Sequence, residues 1–474
     1  MSFSSQVRAR HPRFFCLLVT ILLVLALMPH SALCLGRHVP QAFADRAALI
    51  DTVAALVEDH YVLADRARAF ADSLRSRCAF GLYGDLATPA AFAEAVTADL
   101  REITSDSHFL VRVIEPSDVG ERALSALHHP VRLFRLSQRE HLGFARLEWM
   151  EGNIGYLDLR RFYPISESRE MVDGAMRFLS GADAVIIDLR HNGGGAGESL
   201  PYLSRYFLPY GTQLTGYYSR ETDFLTEFWV AKEVGGPPLP DVPLFILTSE
   251  RTFSAAEMFA YDMKVRGRAI LVGSATGGGA HSVDLFQLDD RFEVYIPTAR
   301  AINPVTDGNW EGVGVIPDVV VAADMALDTA LVLAKSAGQR YREARDVQLA
   351  AAVQRMEQAL ARAEEAYRDG READGAMALD DLLAAETEQG LVNEFFLSVL
   401  AYNYSVEAHA ALLLAILRKR VELFPRSVEA LEALAAALAD SEEYEMARRS
   451  LFKALDLDPN NPNVKKKLER LGNR

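Results

Sequence analysis

Along the middle of the chain, short runs of unbroken apolar residues alternate with longer stretches in which apolar positions recur every third or fourth residue. The runs Ala184-Val185-Ile186-Ile187 and Pro243-Leu244-Phe245-Ile246-Leu247 are apolar throughout, which is how a strand reads when both of its faces are covered. Further strands are expected near Phe144, Ile154, Ile270 and Val294, with a last one at Val319-Val320-Val321. Helical spacing marks Ala48 to Leu63 and Ala90 to Ile103 ahead of this region, and Met325 to Lys335 behind it. Strands interleaved with helices predict an α/β core over 122–335, preceded by a helical domain over 35–121. After the core the composition shifts to Ala, Leu, Glu and Arg with helical spacing to the end, so 336–474 reads as an all-α domain. The fold class is therefore multidomain α/β.

Candidate chemistry sits where strands end. Thr252-Phe253-Ser254-Ala255-Ala256-Glu257 follows one apolar run, and a serine that opens a helix holds its hydroxyl beside free backbone N–H groups able to stabilise an oxyanion. Taken alone, Ser254 reads more readily as an N-cap than as a nucleophile. Asp188-Leu189-Arg190-His191-Asn192-Gly193-Gly194-Gly195 follows another run. Its three glycines let backbone N–H groups approach a bound group, although a plain strand-to-helix turn has the same composition. The loop lacks the lysine and spaced glycines of a phosphate loop. His108, in Asp106-Ser107-His108, and Glu311, in Trp310-Glu311-Gly312, read separately as a packed histidine and a solvated carboxylate.

Together these segments are specific. With Gly152-Asn153-Ile154-Gly155-Tyr156-Leu157 and Val272-Gly273-Ser274-Ala275-Thr276-Gly277-Gly278-Gly279-Ala280-His281, the chain from about 45 to 330 resembles the tail-specific, or C-terminal processing, serine peptidases. The likeness is to the branch containing tricorn protease and interphotoreceptor retinoid-binding protein. It implies a crotonase-like α/β core. It also implies Ser254 as nucleophile and His108 as base, with Ser107 and Glu311 as the relay that orients the base, and an oxyanion hole from the Ala255 N–H and that of Gly193 or Gly194. The dyad lysine of the bacterial and chloroplast enzymes is missing, since Gly279 stands in its place, and Lys264 reads as a solvent-facing helix residue. His108 falls in the helical domain and Ser254 in the core, so activity is expected to depend on their docking.

Only Arg112 to Glu151 separates the histidine segment from the first core strand, too little for the PDZ module that many relatives carry. The C-terminal domain is the other candidate for capturing substrate. Pro425 and Pro459 lie one tetratricopeptide period apart, and Leu431, Leu434, Ala435, Leu438, Tyr444, Ala447, Leu451 and Ala454 fall at that repeat's positions. The unit before it resembles the repeat less closely, with Leu413 and Arg420 where small residues are usual, and a weaker helical pair is expected over Leu349 to Thr387. Such an array would bind a protein partner, or act as a spacer or dimerisation element.

Arg8, Arg10 and Arg13 precede an apolar run from Phe14 to Met28 and the small residues before Cys34, the pattern of a signal peptide over 1–34. A secreted or periplasmic chain is expected, with membrane attachment only if this segment is uncleaved or Cys34 is lipidated. Cleavage after Cys34 leaves Cys78 alone of the three cysteines, hence no internal disulfide. A formal net charge of −15 argues against nucleic acid, and no metal or cofactor is expected. The expected activity is that of an extracytoplasmic serine endopeptidase acting on unfolded or C-terminal polypeptide segments. A non-catalytic carrier of hydrophobic ligands and a repeat-based scaffold are the alternatives.

Overall fold

A computed structural model describes residues 46–114, 131, 134–388, 391–406 and 410–472. The expected signal peptide and Cys34 lie outside them. The chain forms two compact units: one takes residues up to Thr104 with Phe109–Glu115 and Leu285–Ile296, the other takes Ser105–His108 and all the rest. His108, assigned by sequence to the helical domain, thus clusters with the core.

The first unit contains α1 (Arg46–His60), α2 (Ala64–Ala79), α3 (Pro89–Thr104) and β1 (Leu110–Val113). In α1 the residues Leu49, Ile50, Val53, Ala54 and Val57 are buried, one apolar stripe at helical spacing. β1 pairs antiparallel with Phe292–Tyr295. Phe92 meets Phe292 edge-on at 5.5 Å between ring centroids, and Tyr61 lies 5.3 Å from Phe109.

The second unit is organised by a six-stranded sheet. Its strands are β2 (Phe144–Met150), β3 (Ile154–Leu159), β4 (Ala184–Asp188), β7 (Leu244–Thr248), β8 (Ala269–Gly273) and β11 (Val319–Val320), in the order β11-β8-β7-β4-β3-β2. All neighbours are parallel except β2 against β3. Between β4 and β7 in the chain, β5 (Gln213–Ser219) and β6 (Phe224–Trp229) form an antiparallel pair, and Ala299–Ile302 of β10 (Phe292–Ile302) extends it alongside β5. β9 (His281–Gln287) pairs with β10.

Every residue of β3, β4 and β7 is buried, and the two-residue period of a strand sends alternate side chains to opposite faces. Leu157, Val185, Ile187, Leu244 and Ile246 join one core with α4 (Ile165–Leu179), α5 (Leu200–Ser204) and α6 (Ala255–Val265), whereas Ile154, Ala184, Ile186, Phe245 and Leu247 join a second with Ala326, Ala330 and Ala334. These alanines belong to α7 (Ala326–Arg368), a helix of 43 residues. Sequence spacing ends this helix at Lys335, but the structure carries it unbroken across the expected boundary at 335.

The far end of α7 supplies Met356, Ala359 and Ala363 to a third core. That core also draws on the C-terminal helices α8 (Glu372–Glu388), α9 (Glu394–Val406), α10 (Ala410–Leu423), α11 (Val428–Asp440), α12 (Tyr444–Leu457) and α13 (Pro462–Gly472). Leu431, Leu434, Ala435, Leu438, Ala447, Leu451 and Ala454 are all buried there. Arg420, out of place by sequence, is buried because Glu394 pairs with it at 2.9 Å and also accepts the Ser427 hydroxyl.

Candidate active site

The turn between β7 and α6 is fastened to the loop after β4. Ser249 Oγ donates to Arg190 O (2.6 Å), Thr252 Oγ1 to Leu189 O (2.8 Å) and the Phe253 N–H to Asn192 O (3.0 Å). At the end of the turn Ser254 adopts φ 54° and ψ −122°. For a residue with a Cβ this costs roughly 1–3 kcal/mol, and it survives where the surroundings over-determine it. The Ser254 N–H donates to Glu257 Oε2 (2.8 Å); the same carboxylate accepts the Thr276 hydroxyl and the N–H groups of Gly278 and Gly279. Burial pushes the Glu257 carboxyl up, and those hydrogen bonds oppose the shift.

Gly194, at φ 98°, passes so close that a Cβ on it would lie 2.9 Å from Ser254 Cβ and 3.0 Å from Ala255 N. The glycine loop is therefore brought against the first helical N–H. Asn192, fully buried, holds the loop there: its Nδ2 donates to Leu159 O (2.9 Å), and its Oδ1 accepts the Gly194 N–H (2.8 Å). Gly194's amide is thus committed within the loop.

On the other side the His108 ring lies against Phe253, with centroids 4.8 Å apart. Asp106 Oδ1 accepts the His108 backbone N–H (3.0 Å) and lies 3.2 Å from ring Nδ1. His108 Nε2 is buried and has no hydrogen-bond partner among the described residues. Ser107 is exposed. It is the Asp106 carboxylate, one residue earlier, that lies at the ring's Nδ1, and sequence reading had given Asp106 no role.

Asp106 Oδ2 lies 2.6 Å from Nδ1 of His281, a second buried histidine that sequence reasoning left without a role. Burial works against the Asp106 charge, but hydrogen bonds from both histidines outweigh it and hold the carboxyl well below the usual range. Among the described residues Glu311 makes no hydrogen bond to the His108 ring. Its Oε2 accepts the N–H groups of Ala280 (2.6 Å) and His281 (3.1 Å) and lies 3.7 Å from His281 Nδ1. Burial, followed by the Asp106 charge, pushes Glu311 up to about 8. Ligand atoms of Asp106, His281 and Glu311 lie within 4.8 Å of one another. A divalent cation among them would have to displace the proton of the 2.6 Å contact.

A Cβ at Gly279 would run into the Phe253 ring and come within 2.7 Å of His108 Cε1. The two rings occupy the space a lysine there would need. Lys264, read from sequence as solvent-facing, is half-buried and paired with Asp318.

The strained turn that carries Ser254 and the His108 ring, held through one nitrogen, thus meet at Phe253. Residues 153–321 match the model of peptidase family S41, and residues 30–139 match the N-terminal domain of Peptidase_S41 in eukaryotic IRBP. The carboxyl-terminal-processing protease of Picosynechococcus sp. is 30% identical over 35% of this chain and 39% of its own length. That of Synechocystis sp. is 30% identical over 36% and 38%. This chain therefore spans well under half the length of these relatives. The solved photosystem II D1 C-terminal processing protease is 16% identical over 59% of this chain and 94% of that one, with a TM-score of 0.38. Among the described residues no helix is long and apolar enough to cross a membrane.

Proposed function

We propose that this protein is an extracytoplasmic serine endopeptidase that cleaves unfolded or C-terminal polypeptide segments through an acyl-enzyme. Ser254 Oγ attacks the scissile carbonyl while its proton passes to His108 Nε2. Asp106, accepting from Nδ1–H, keeps that nitrogen protonated and Nε2 basic. The N–H of Ala255 and that of Gly193 receive the oxyanion, Gly193 being favoured because Gly194 already serves Asn192. Collapse of the intermediate breaks the C–N bond, and His108 returns the proton to the leaving amine. Water then attacks the acyl carbonyl, giving a proton to His108 that passes back to Ser254.

The observation that carries this reading is the buried, unpartnered Nε2 of His108, since a buried polar atom left without a partner asks for a functional reason. Substrate tails are held by the core or by the C-terminal helices, whose tetratricopeptide-like spacing suits peptide capture. The match to a domain of IRBP keeps the carrier of hydrophobic ligands as the second reading.

A fluorophosphonate probe separates the two. The mature chain should be labelled covalently at Ser254 and Ser254→Ala should not react. A folded wild-type chain that resists the probe and leaves casein uncleaved would refute the enzyme reading.

A further inference from the structure

Two imidazoles share one buried carboxylate. Asp106 Oδ1 faces Nδ1 of His108 and Oδ2 faces Nδ1 of His281, at 3.2 and 2.6 Å. An ionised carboxylate only accepts, so each ring must carry its proton on Nδ1. We infer that His281 is a positioning residue for the reaction: it holds Asp106 in the rotamer that presents Oδ1 to His108, and takes up part of the Asp106 charge. The inference rests on the reading of His108 as the base.

The backbone around His281 is built to fix it. Gly278 and Gly279 donate to Glu257, the carboxylate that also accepts the Ser254 N–H, and Ala280 and His281 donate to Glu311. Trp310 Nε1 donates to Gly279 O at 2.9 Å. One short segment, 276–281, thus runs from the carboxylate that seats the nucleophile to the carboxylate that orients the base. Among the described residues the titratable groups facing the pair include His108, Glu311 and, through the segment's amides, Glu257.

Charge sharing has a sign. With His281 donating to Oδ2, the charge felt at Oδ1 is reduced; without that donor, Asp106 favours the protonated form of His108 more strongly. In His281→Leu, kcat on a short peptide should fall about ten- to a hundredfold with KM little changed, and the acidic limb of the kcat/KM profile should move to higher pH by roughly half a unit or more. Asn can place an amide N–H close to where Nδ1–H stood, so His281→Asn should recover most of the turnover and return the limb. A purely structural residue would give loss without movement of the limb. Equal profiles in wild type and His281→Leu overturn the proposal.

A measurement independent of activity keeps it separable from the reading of the site. Nitrogen-15 histidine spectra of the folded wild type, above the acidic limb, should show both His108 and His281 as Nδ1–H tautomers. An Nε2–H tautomer at His281 removes the donor to Asp106 and refutes the inference even if the protein is an active peptidase. Both histidines as Nδ1–H in a chain that fails to react with the fluorophosphonate would leave the hydrogen bonding intact and strike at the function instead.

Discussion

The two halves of the site are made differently. The nucleophile side is local: strand, turn, Ser254 and helix are continuous in sequence, fastened to the loop after β4 and, through Glu257, to the backbone at 276–279. The base side is assembled from far apart, since His108 depends on Asp106, Asp106 on His281, and the backbone of His281 on Glu311. Backbone geometry mounts the first and side-chain hydrogen bonds the second. A backbone mount is hard to spoil by a conservative substitution, whereas a chain of side chains fails at any link.

Asp106→Asn tests that contrast most severely. It keeps the shape but offers His108 an amide, and loss of the correct tautomer should lower kcat about a thousand- to ten-thousandfold. Ser107→Ala, at an exposed position, should change kcat less than about threefold on the same reasoning. If peptide hydrolysis instead collapses in the Ser107 variant and survives in the Asp106 one, the serine relay implied by family resemblance is right and the carboxylate assignment is wrong.

Gly279→Lys asks whether the lysine dyad can be restored on this scaffold. The new side chain displaces Phe253 and His108, so activity should drop about ten- to a hundredfold from misplacement alone. Lys264→Ala, which removes an ion pair to Asp318, should leave kcat within about twofold. A Gly279→Lys chain that stays active when His108 is also replaced would show that the dyad works here after all.

Truncation probes the C-terminal helices with a smaller effect. A cut at the expected boundary of 335 would fall inside α7, where Gly338 rests on Asp183 and Tyr341 packs against the main core. Ending after Arg345 retains those contacts and all the proposed catalytic groups. A folded truncation should hydrolyse a short peptide with near-normal kcat, while the KM for an unfolded protein rises several-fold. Equal loss on both substrates would mean that the array helps to complete the site.

The smallest effect concerns stability. Glu311 is pushed up to about 8 from an ordinary 4.5, so between these values the unfolded chain gives up its proton while the folded chain keeps it. Stability therefore falls from about pH 4.5 to 8 and levels off above. Glu311→Gln, neutral in both states, should melt a few degrees higher than wild type at pH 8 and gain nothing at pH 4. An identical advantage at both values would assign the change to packing rather than to the proton.

What could be read from sequence follows the same division. The sheet was legible because β4 and β7 are buried on both faces and announce it in apolar runs. Ser254 and the Gly193-Gly194 loop were legible because their chemistry is in adjacent residues. Asp106 was not legible because sequence order cannot tell that its buried carboxylate, rather than the exposed Ser107, points at the ring's Nδ1. His281 carries no signal of its own at the end of a glycine run; its meaning comes from Asp106, which the chain places 175 positions away. The length of α7 was hidden because its alanine-rich spacing looks the same on the sheet and in the helical array.

Chain order adds a consequence for synthesis. Every residue assigned to the chemistry has been made before Ala326, but Ile186, Phe245 and Leu247 are covered by Ala326, Ala330 and Ala334. Until the start of α7 has left the ribosome, one face of the sheet that carries Ser254 is bare. At roughly 5–20 residues per second that interval is short. The first turns of α7 thus close the apolar surface through which a half-made chain would aggregate.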